Sequence, residues 1–164
     1  MGKIIKIGVW ENCIFKGCVT FSRGANNNIG APYGLKQTEV CELTRVALNK
    51  HDNPVSRVLR IAIKLLKHSN PDLKLIVSYA DDLQGHIGSI YQAGNWVYTG
   101  DTEPQYKFLF KGEWRHPRSI DAVRGNHSGL PKQEAGFKRK YLYPLTSELK
   151  TQIEPLRKPY PKRV

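Results

Sequence analysis

Apolar and polar residues alternate along the first part of the chain, which is the pattern of half-buried β-strands. The alternation runs through Lys3–Trp10 and Cys13–Ser22, and the Glu-Asn pair between them is predicted to form a hairpin turn. A stretch rich in Gly, Asn and Pro, 22–34, then predicts a loop. Alternation resumes over Glu39–Leu48. The sequence therefore predicts three strands before residue 50.

The hydrophobic period lengthens from two to between three and four after residue 53, which predicts an amphipathic helix from Pro54 to His68. Its apolar side consists of Val55, Val58, Leu59, Ala62, Leu65 and Leu66. Asp52 or Asn53 is predicted to cap this helix, with Pro54 at the first helical position. The helix should pack on a sheet through that apolar side.

The remaining pattern supplies the second half of a sheet. The predicted elements are a buried strand at 73–81, a helix at about 85–94, a strand near 96–99, a loop-rich insertion at 100–136, a last strand at 138–145, a short helix at 147–155 and a basic tail at 156–164. A strand, a helix and a second parallel strand require a right-handed crossover. The predicted fold class is therefore α/β (α+β), a mixed central sheet flanked by helices in one domain, 1–164.

The net charge of +12 is concentrated in the second half of the chain. Residues 104–164 hold 14 Lys and Arg against 5 Asp and Glu, a net of +9, interleaved with aromatic residues. Basic residues with aromatics favour binding to a phosphate backbone and unstacked bases; a solvated basic surface is the alternative. No apolar run is long enough to cross a membrane and the N-terminus does not resemble a signal peptide, so we expect a cytoplasmic protein without membrane partners.

Three cysteines are predicted to be free and mostly buried thiols. Cys13 and Cys18 are five residues apart in one predicted strand, so their side chains should point to opposite faces and neither pair nor share a metal. The sequence thus predicts no disulfide.

The start of the 54–68 helix is a candidate anion site. Its first backbone N–H groups and the positive end of its dipole face outward from the end of a strand. Ser56 adds a hydroxyl donor, and Lys50 and Arg57 add charge. The sequence therefore predicts a phosphate-binding helix start, although many such starts bind nothing.

The strand–helix–strand order followed by "GHIGSIYQAGNWVYTG" is similar to the acetyltransferase superfamily that includes histone and aminoglycoside N-acetyltransferases. More specifically, "GVWENCIFKGCVTFSRGANNN", "CELTRVAL", "NPVSRVLRIAI", "SYADDLQGHIGSIYQAGNW" and "KYLYPL…QIEPLRKPYPKR" resemble the bacteriophage Mom proteins, a divergent branch of that superfamily. The resemblance implies an enzyme that converts adenine in double-stranded DNA to an N6-carbamoylmethyl derivative, which protects phage DNA from host restriction. The acting compartment would be the host cytoplasm.

Two features depart from the resembled families. The stretch "KHDNPVSR" lacks the glycines of an acetyltransferase pyrophosphate loop, which disfavours close approach by CoA. The first strand–helix element of the fold is expected to be absent, and the His-Tyr pair proposed to help bind iron in Mom proteins belongs to a segment upstream of the residues that carry the resemblance. Acetyl-CoA or a related acyl donor and an iron ion are therefore expectations of the resemblance alone.

Each candidate residue has a structural alternative. Asp81 ends a buried strand, where it would accept the amine proton or ligate a metal, or else cap the next helix. Tyr91 would protonate a leaving group or stack on a base, or else belong to the core. His86 is a base, a ligand or a solvated residue. Arg45 faces a cofactor, or is buried in an ion pair with a carboxylate.

The predicted site residues fall into four groups. The catalytic set is Asp81, Tyr91, Arg45 and Ser56; the cofactor-binding set is Val55, Ser56, Arg57 and Tyr91; the DNA-binding set is Arg115, Arg118, Lys138, Arg139 and Lys140; the metal ligand is Asp81. Expected partners are double-stranded DNA and CoA, with a homodimer left open. Two other functions stay open at this point: a small-amine or protein N-acetyltransferase, and a DNA-binding relative without catalysis.

Overall fold

A computed structural model describes residues 4–24 and 26–162; Lys3 of the first predicted strand and the end of the basic tail lie outside them. A six-stranded mixed sheet runs in the order β1–β2–β3–β4–β9–β5. Its strands are β1 (Ile4–Glu11), β2 (Ile14–Ser22), β3 (Val40–Leu48), β4 (Leu75–Asp81), β5 (Val97–Asp101) and β9 (Lys138–Pro144). The helices are α1 (Val55–Ser69), α2 (Ser89–Ala93), α3 (Pro117–Arg124) and α4 (Ser147–Ile153). The predicted mixed sheet flanked by helices is confirmed.

Helix α1 connects the parallel strands β3 and β4 and packs on one face of the sheet, which we call the helix face. Five of its apolar side chains are buried there: Val58, Leu59, Ala62, Ile63 and Leu66. Burial of each such side chain contributes about 1.5–3 kcal/mol. The predicted amphipathic helix is confirmed, with both ends shifted by one residue.

The other face of the sheet, which we call the opposite face, is covered over only half of its width. Over β4, β9 and β5 it is buried beneath the segment 29–35 and α4, through residues such as Tyr33, Leu142 and Leu149. Over β1, β2 and β3 it carries exposed side chains, among them Lys6 and Arg45. The sheet therefore presents an uncovered surface next to a covered one.

The prediction that 100–136 is mostly loop is wrong. This stretch contains a three-stranded antiparallel sheet with the order β7–β6–β8. Its strands are β6 (Tyr106–Phe110), β7 (Glu113–Arg115) and β8 (Lys132–Glu134). Helix α3 lies between β7 and β8 in the chain. Lys111 and Gly112 both have positive φ, as a two-residue hairpin turn requires. Strands of three to five residues are too short to give a clear alternating pattern.

The first hairpin turns at Asn12 and Cys13, both with positive φ, and not at Glu11 and Asn12 as predicted. Cys13 is therefore exposed in the turn, which corrects its placement in a strand. Cys18 is partly buried and Cys41 is buried, and burial raises the pKa of the Cys41 thiol to about 12. All three thiols are free.

The second predicted helix is much shorter than the 85–94 expected. A 3₁₀ turn at Asp82–Gln84 follows β4, and α2 spans only Ser89–Ala93. Gly85 and Gly88 lie between them with φ of 65° and 78°, a left-handed conformation that interrupts a helix. Within the described ranges, no helix has the length and apolar character needed to cross a membrane.

Candidate functional site

The site is built around a fork between β3 and β4. These strands pair in parallel only from Val40–Leu43 with Leu75–Ser78, although each continues along its other neighbour. A bulge in β3, between the residues paired with Phe21 and Thr20, changes its register at the point of separation. Bulges bend the strand that carries them. The carboxyl ends of two parallel strands thus diverge, which is where open sheets place ligands.

Ser78 and Tyr91 lie at the apex of the fork. The Ser78 hydroxyl is fully buried, donates to the Leu43 carbonyl at 2.9 Å and lies 2.8 Å from the Tyr91 hydroxyl. Tyr91 packs against Trp96 and Tyr141, with ring centroids 5.1 and 5.0 Å apart. Burial raises the pKa of the Tyr91 phenol, so it stays protonated at neutral pH. Tyr91 therefore belongs to the core, as one of the two predicted alternatives has it, and its role as an acid stays a prediction.

A first pocket opens from the fork on the helix face. It has a volume of about 220 Å³ and is lined by Tyr79, Ala80 and residues 85–91. Tyr141 donates to the Ile87 carbonyl at 2.5 Å, and Arg139 donates to the His86 carbonyl at 3.1 Å. The exposed His86 therefore lies on a loop that is anchored through its backbone, at the rim of this pocket.

A second pocket, of about 280 Å³, opens on the opposite face. It is polar and basic, and its lining is Asn26, Ile29, Glu42, Tyr79, Thr102, Gln105, His116, Arg118 and Lys138. Tyr79 lines both pockets, and burial raises the pKa of its phenol to about 12. The fork therefore has a pocket on either side of the sheet, with Tyr79 between them.

Asp81 has the structural role that the sequence left as an alternative. Its carboxylate accepts a hydrogen bond from the Leu83 amide at 3.1 Å and caps the 3₁₀ turn. The next residue, Asp82, pairs with Arg139 at 2.6 Å. Within 4–24 and 26–162, no three His, Cys, Asp or Glu side chains are grouped to hold a metal ion. The catalytic and metal roles of Asp81 stay predictions.

An anion from the chain itself already binds just before the start of α1. The Glu11 carboxylate accepts hydrogen bonds from the Asp52 amide at 2.8 Å, the Asn53 amide at 2.9 Å and the Asn53 side chain at 2.8 Å. These bonds lower the pKa of Glu11 to about 2. The prediction that Asp52 or Asn53 caps the helix is wrong. Pro54 is the N-cap residue, and no side chain caps the helix there. Glu11 thus binds the backbone amides just before the helix, at one edge of the predicted phosphate seat.

The other predicted cofactor-binding residues near this helix start do not lie together. Ser56 and Arg57 line a groove of about 780 Å³ between α1 and α2, together with Arg60 and Trp96. Val55 instead packs partly buried against the core. Among the described residues, the Val55 and Ser56 amides have no hydrogen-bond partner, as is usual in a first helical turn.

Arg45 lies away from the Tyr91 hydroxyl. A regular strand would place Glu42 and Arg45 on opposite faces, but the bulge in β3 puts both on the opposite face, paired with Ser22 and Thr20. The Arg45 side chain is exposed, so the predicted buried ion pair is wrong. A catalytic role for Arg45 stays a prediction.

The predicted DNA-binding residues do not form one stripe. Because β9 lies inside the sheet, Lys138 and Lys140 point to the opposite face, whereas Arg139 points to the helix face and pairs with Asp82. The Lys140 ammonium lies 5.1 Å from the Tyr33 ring centroid. Arg115 pairs with Glu113 at 2.6 Å in β7. The structure brings only Arg118 and Lys138 of this set to the second pocket.

Sequence reasoning missed four residues that shape the site. Ser78 and Tyr79 interrupt the apolar run "LKLIVSYAD", and Glu42 interrupts β3, so a polar residue inside a buried strand was a usable signal. Glu11 gave no such signal, because its partners are 41 and 42 residues away in the sequence.

Comparison with known proteins shows which family this chain resembles in sequence. A sequence model of the Mom protein family matches residues 1–162. The methylcarbamoylase Mom of Escherichia phage Mu is 29% identical over 133 residues, which cover 77% of this chain and 54% of that protein. The chain thus spans about half the length of this curated relative. It belongs to the Mom protein family.

Proposed function

We propose that this chain modifies adenine in duplex DNA to an N6-carbamoylmethyl-type derivative, as a transferase that protects phage DNA from host restriction. Membership of the Mom family and the name of the phage Mu relative, a methylcarbamoylase, support this proposal. The observation that carries it is the basic, polar pocket at the fork. The reaction would take place in the cytoplasm of the host cell.

An enzyme that acts on N6 of a paired adenine must first extract the base from the stack. We assign the extracted base to the opposite-face pocket. Asn26 and Gln105 line it, and carboxamides are suited to the N6 and N7 edge of adenine. Arg118 and Lys138 line the same pocket and are suited to the phosphates beside the base. The pocket thus combines groups for a base with groups for its backbone.

The chemistry needs help because the N6 lone pair is delocalised into the purine ring. In the proposed step N6 forms a bond to the carbon of the transferred group, the bond from that carbon to its leaving group breaks, and N6 loses a proton. Glu42, which lines the pocket, is the proposed acceptor of that proton. Tyr91, protonated at the apex, is the proposed donor to the leaving group. Asp81, at the end of β4, is the second candidate base.

The donor would approach from the helix face. The groove between α1 and α2 offers Ser56, Arg57 and Arg60 to an anionic donor such as an acyl-CoA. The fit to a CoA pyrophosphate is partial, because Glu11 already holds the Asp52 and Asn53 amides. No ligand set for iron assembles around Asp81 in the described part of the chain. The proposed step therefore depends on this chain's own residues.

The test is mass spectrometry of nucleosides from the DNA of cells that express this chain. We expect a modified deoxyadenosine that disappears in Glu42→Gln and persists in Glu134→Gln, a matched change on the exposed strand β8. Unmodified DNA would contradict the proposal. Acetylation of a small amine without DNA would indicate an N-acetyltransferase instead, and DNA binding without modification would indicate a relative that has lost catalysis.

A further inference from the structure

The opposite face of β1, β2 and β3 is an uncovered sheet surface, which we call the open sheet face. The register of the three strands places Ile4, Lys6, Gly8, Trp10, Phe15, Thr20 and Arg45 on it. Trp10 is 61% exposed and Phe15 is 59% exposed. Two aromatic side chains in one exposed pair are unusual on a protein surface and indicate an interaction site.

The aromatic pair is held in a fixed arrangement. The ring centroids of Trp10 and Phe15 are 5.0 Å apart, with their planes inclined by 60°. The Trp10 ring lies over Gly8, where a side-chain Cβ would come within 2.2 Å of a ring atom. The glycine therefore lets the indole lie down on the sheet. A flat ring on a sheet is the kind of platform on which an unpaired base stacks.

Positive charge accompanies the aromatic pair. Lys6 and Arg45 are exposed on the same face, and among the described residues neither forms an ion pair with a carboxylate. Thr20 lies between them in the register, opposite Lys6 on one side and Arg45 on the other. The cations thus form a short row across the three strands, beside the aromatic platform.

The open sheet face leads directly into the opposite-face pocket. Glu42 lines that pocket and is paired with Ser22, two residues along β2 from Thr20. A strand of nucleic acid with one base in the pocket would therefore continue over this surface. The row of Lys6 and Arg45 lies on that route, with Trp10 and Phe15 farther along it.

We propose that the open sheet face binds the unpaired nucleotides beside the extracted adenine, with bases stacked on Trp10 and Phe15 and phosphates held by Lys6 and Arg45. This inference rests on the proposed function, because it takes the pocket as the place of the adenine. Aromatic platforms tolerate any base, since every base has a stacking face. The surface should therefore recognise unpaired DNA without reading its sequence.

The test compares the affinity of the intact chain for two labelled oligonucleotides by fluorescence anisotropy. One is a duplex with a short unpaired stretch around a single adenine, and the other is the same duplex fully paired. The double variant Trp10→Ala with Phe15→Ala should lose about tenfold or more of its affinity for the first and much less for the second. Trp10→Tyr with Phe15→Tyr should keep the preference for unpaired DNA.

The matched control removes exposed apolar groups elsewhere. Val123 on α3 and Leu156 after α4 are 68% and 46% exposed, so the pair Val123→Ala with Leu156→Ala should leave both affinities unchanged. Lys6→Gln with Arg45→Gln should lower the slope of log affinity against log salt by about two units. Each variant needs a melting curve to establish that it folds.

Equal affinity of the alanine variant and the parent for the unpaired stretch would overturn the inference. So would a homodimer that dissociates in the alanine variant while DNA affinity stays unchanged, because the face would then be covered by a second copy. The measurement uses no donor and no turnover. Loss of the preference in the alanine variant therefore supports this surface even where mass spectrometry finds unmodified DNA.

Discussion

The start of α1 and the fork between β3 and β4 are both polar junctions at the end of a strand, but at the start of α1 a carboxylate of the chain already holds part of the predicted anion site. At the start of α1, Glu11 arrives from β1 and accepts three hydrogen bonds. At the fork, the Ser78 hydroxyl donates to the Leu43 carbonyl and is hydrogen-bonded to the Tyr91 hydroxyl, and a pocket remains on either side. The difference shows that an anion site predicted from local residues can be partly filled by a carboxylate that is distant in the sequence.

The candidate catalytic groups lie at the ends of β3 and β4 and not at the start of α1. A helix start needs only local residues, and local residues can be read from the sequence. A fork needs two strands, a bulge and a neighbouring helix, which come from residues 40 to 91. Changes that act on one junction and spare the other therefore test the assignment.

The largest effect should come from Tyr91→Phe. If Tyr91 protonates the leaving group, adenine modification should fall by about 10²–10⁴-fold, as for general acids. The matched control is Tyr98→Phe, which removes a buried phenol that donates to Asp101 at 2.7 Å. Modification measured on duplex DNA should survive in the control. Equal loss of modification in both variants would assign Tyr91 to the core alone.

The next effect concerns the wall of the helix-face pocket. An alanine Cβ at Gly88 would come within 2.4 Å of the Tyr141 ring, whereas at Gly85 it would meet nothing within 4 Å. Both have positive φ, so each alanine costs about 1–2 kcal/mol. Gly88→Ala should cost a further 1–3 kcal/mol, approximately, from overpacking. Urea unfolding measures the difference, and equal midpoints would mean that the loop moves aside.

A third effect concerns Glu11 at the start of α1. Because the pKa of Glu11 is lowered to about 2 in the folded protein, its stabilising contribution is complete above the ordinary carboxyl value of 4.5 and is lost as pH falls from there towards 2. Thermal melts should show this loss in the parent and much less of it in Glu11→Gln. Glu103→Gln, in an exposed loop, is the control and should keep the parent profile.

Glu11→Ala should also free the Asp52 and Asn53 amides for an external anion. Pyrophosphate should then raise the melting temperature of the variant more than that of the parent. No difference between them would mean that the junction does not bind anions even when it is empty.

The smallest effect should come from Ser56→Ala. If the Ser56 hydroxyl contacts the donor, its loss should weaken donor binding by about 0.5–1.5 kcal/mol, the size of one hydrogen bond. Isothermal titration with an acyl-CoA is the measurement. Thr151→Ala, on the exposed side of α4, is a control that removes a hydroxyl far from the groove. Unchanged affinity in Ser56→Ala would leave this residue as part of the helix only.

The sequence predicted the parts of the fold that depend on short-range pattern. The α1 helix and strands β4 and β9 were predicted to within a few residues, because each has a clear period or a continuous apolar run. The faces of Glu42 and Arg45 were not predictable, because one bulge reverses the alternation after Leu43. Glu11 at the helix start depends on a contact across 41 residues. Contacts between residues distant in the sequence, and not local propensities, therefore determined these features.

The strand order has a consequence for how the chain is made. β5 precedes β9 by more than 30 residues in the chain, yet β9 is the only strand of the described sheet that pairs with β5, and it lies between β5 and β4. During synthesis, β4 therefore waits with an unpaired edge until residue 144 has left the ribosome. The Arg139 and Tyr141 anchors of the pocket loop arrive with the same strand. A nascent chain that stops before β9 therefore lacks these two anchors of the pocket loop, and it also lacks Lys138, which lines the opposite-face pocket.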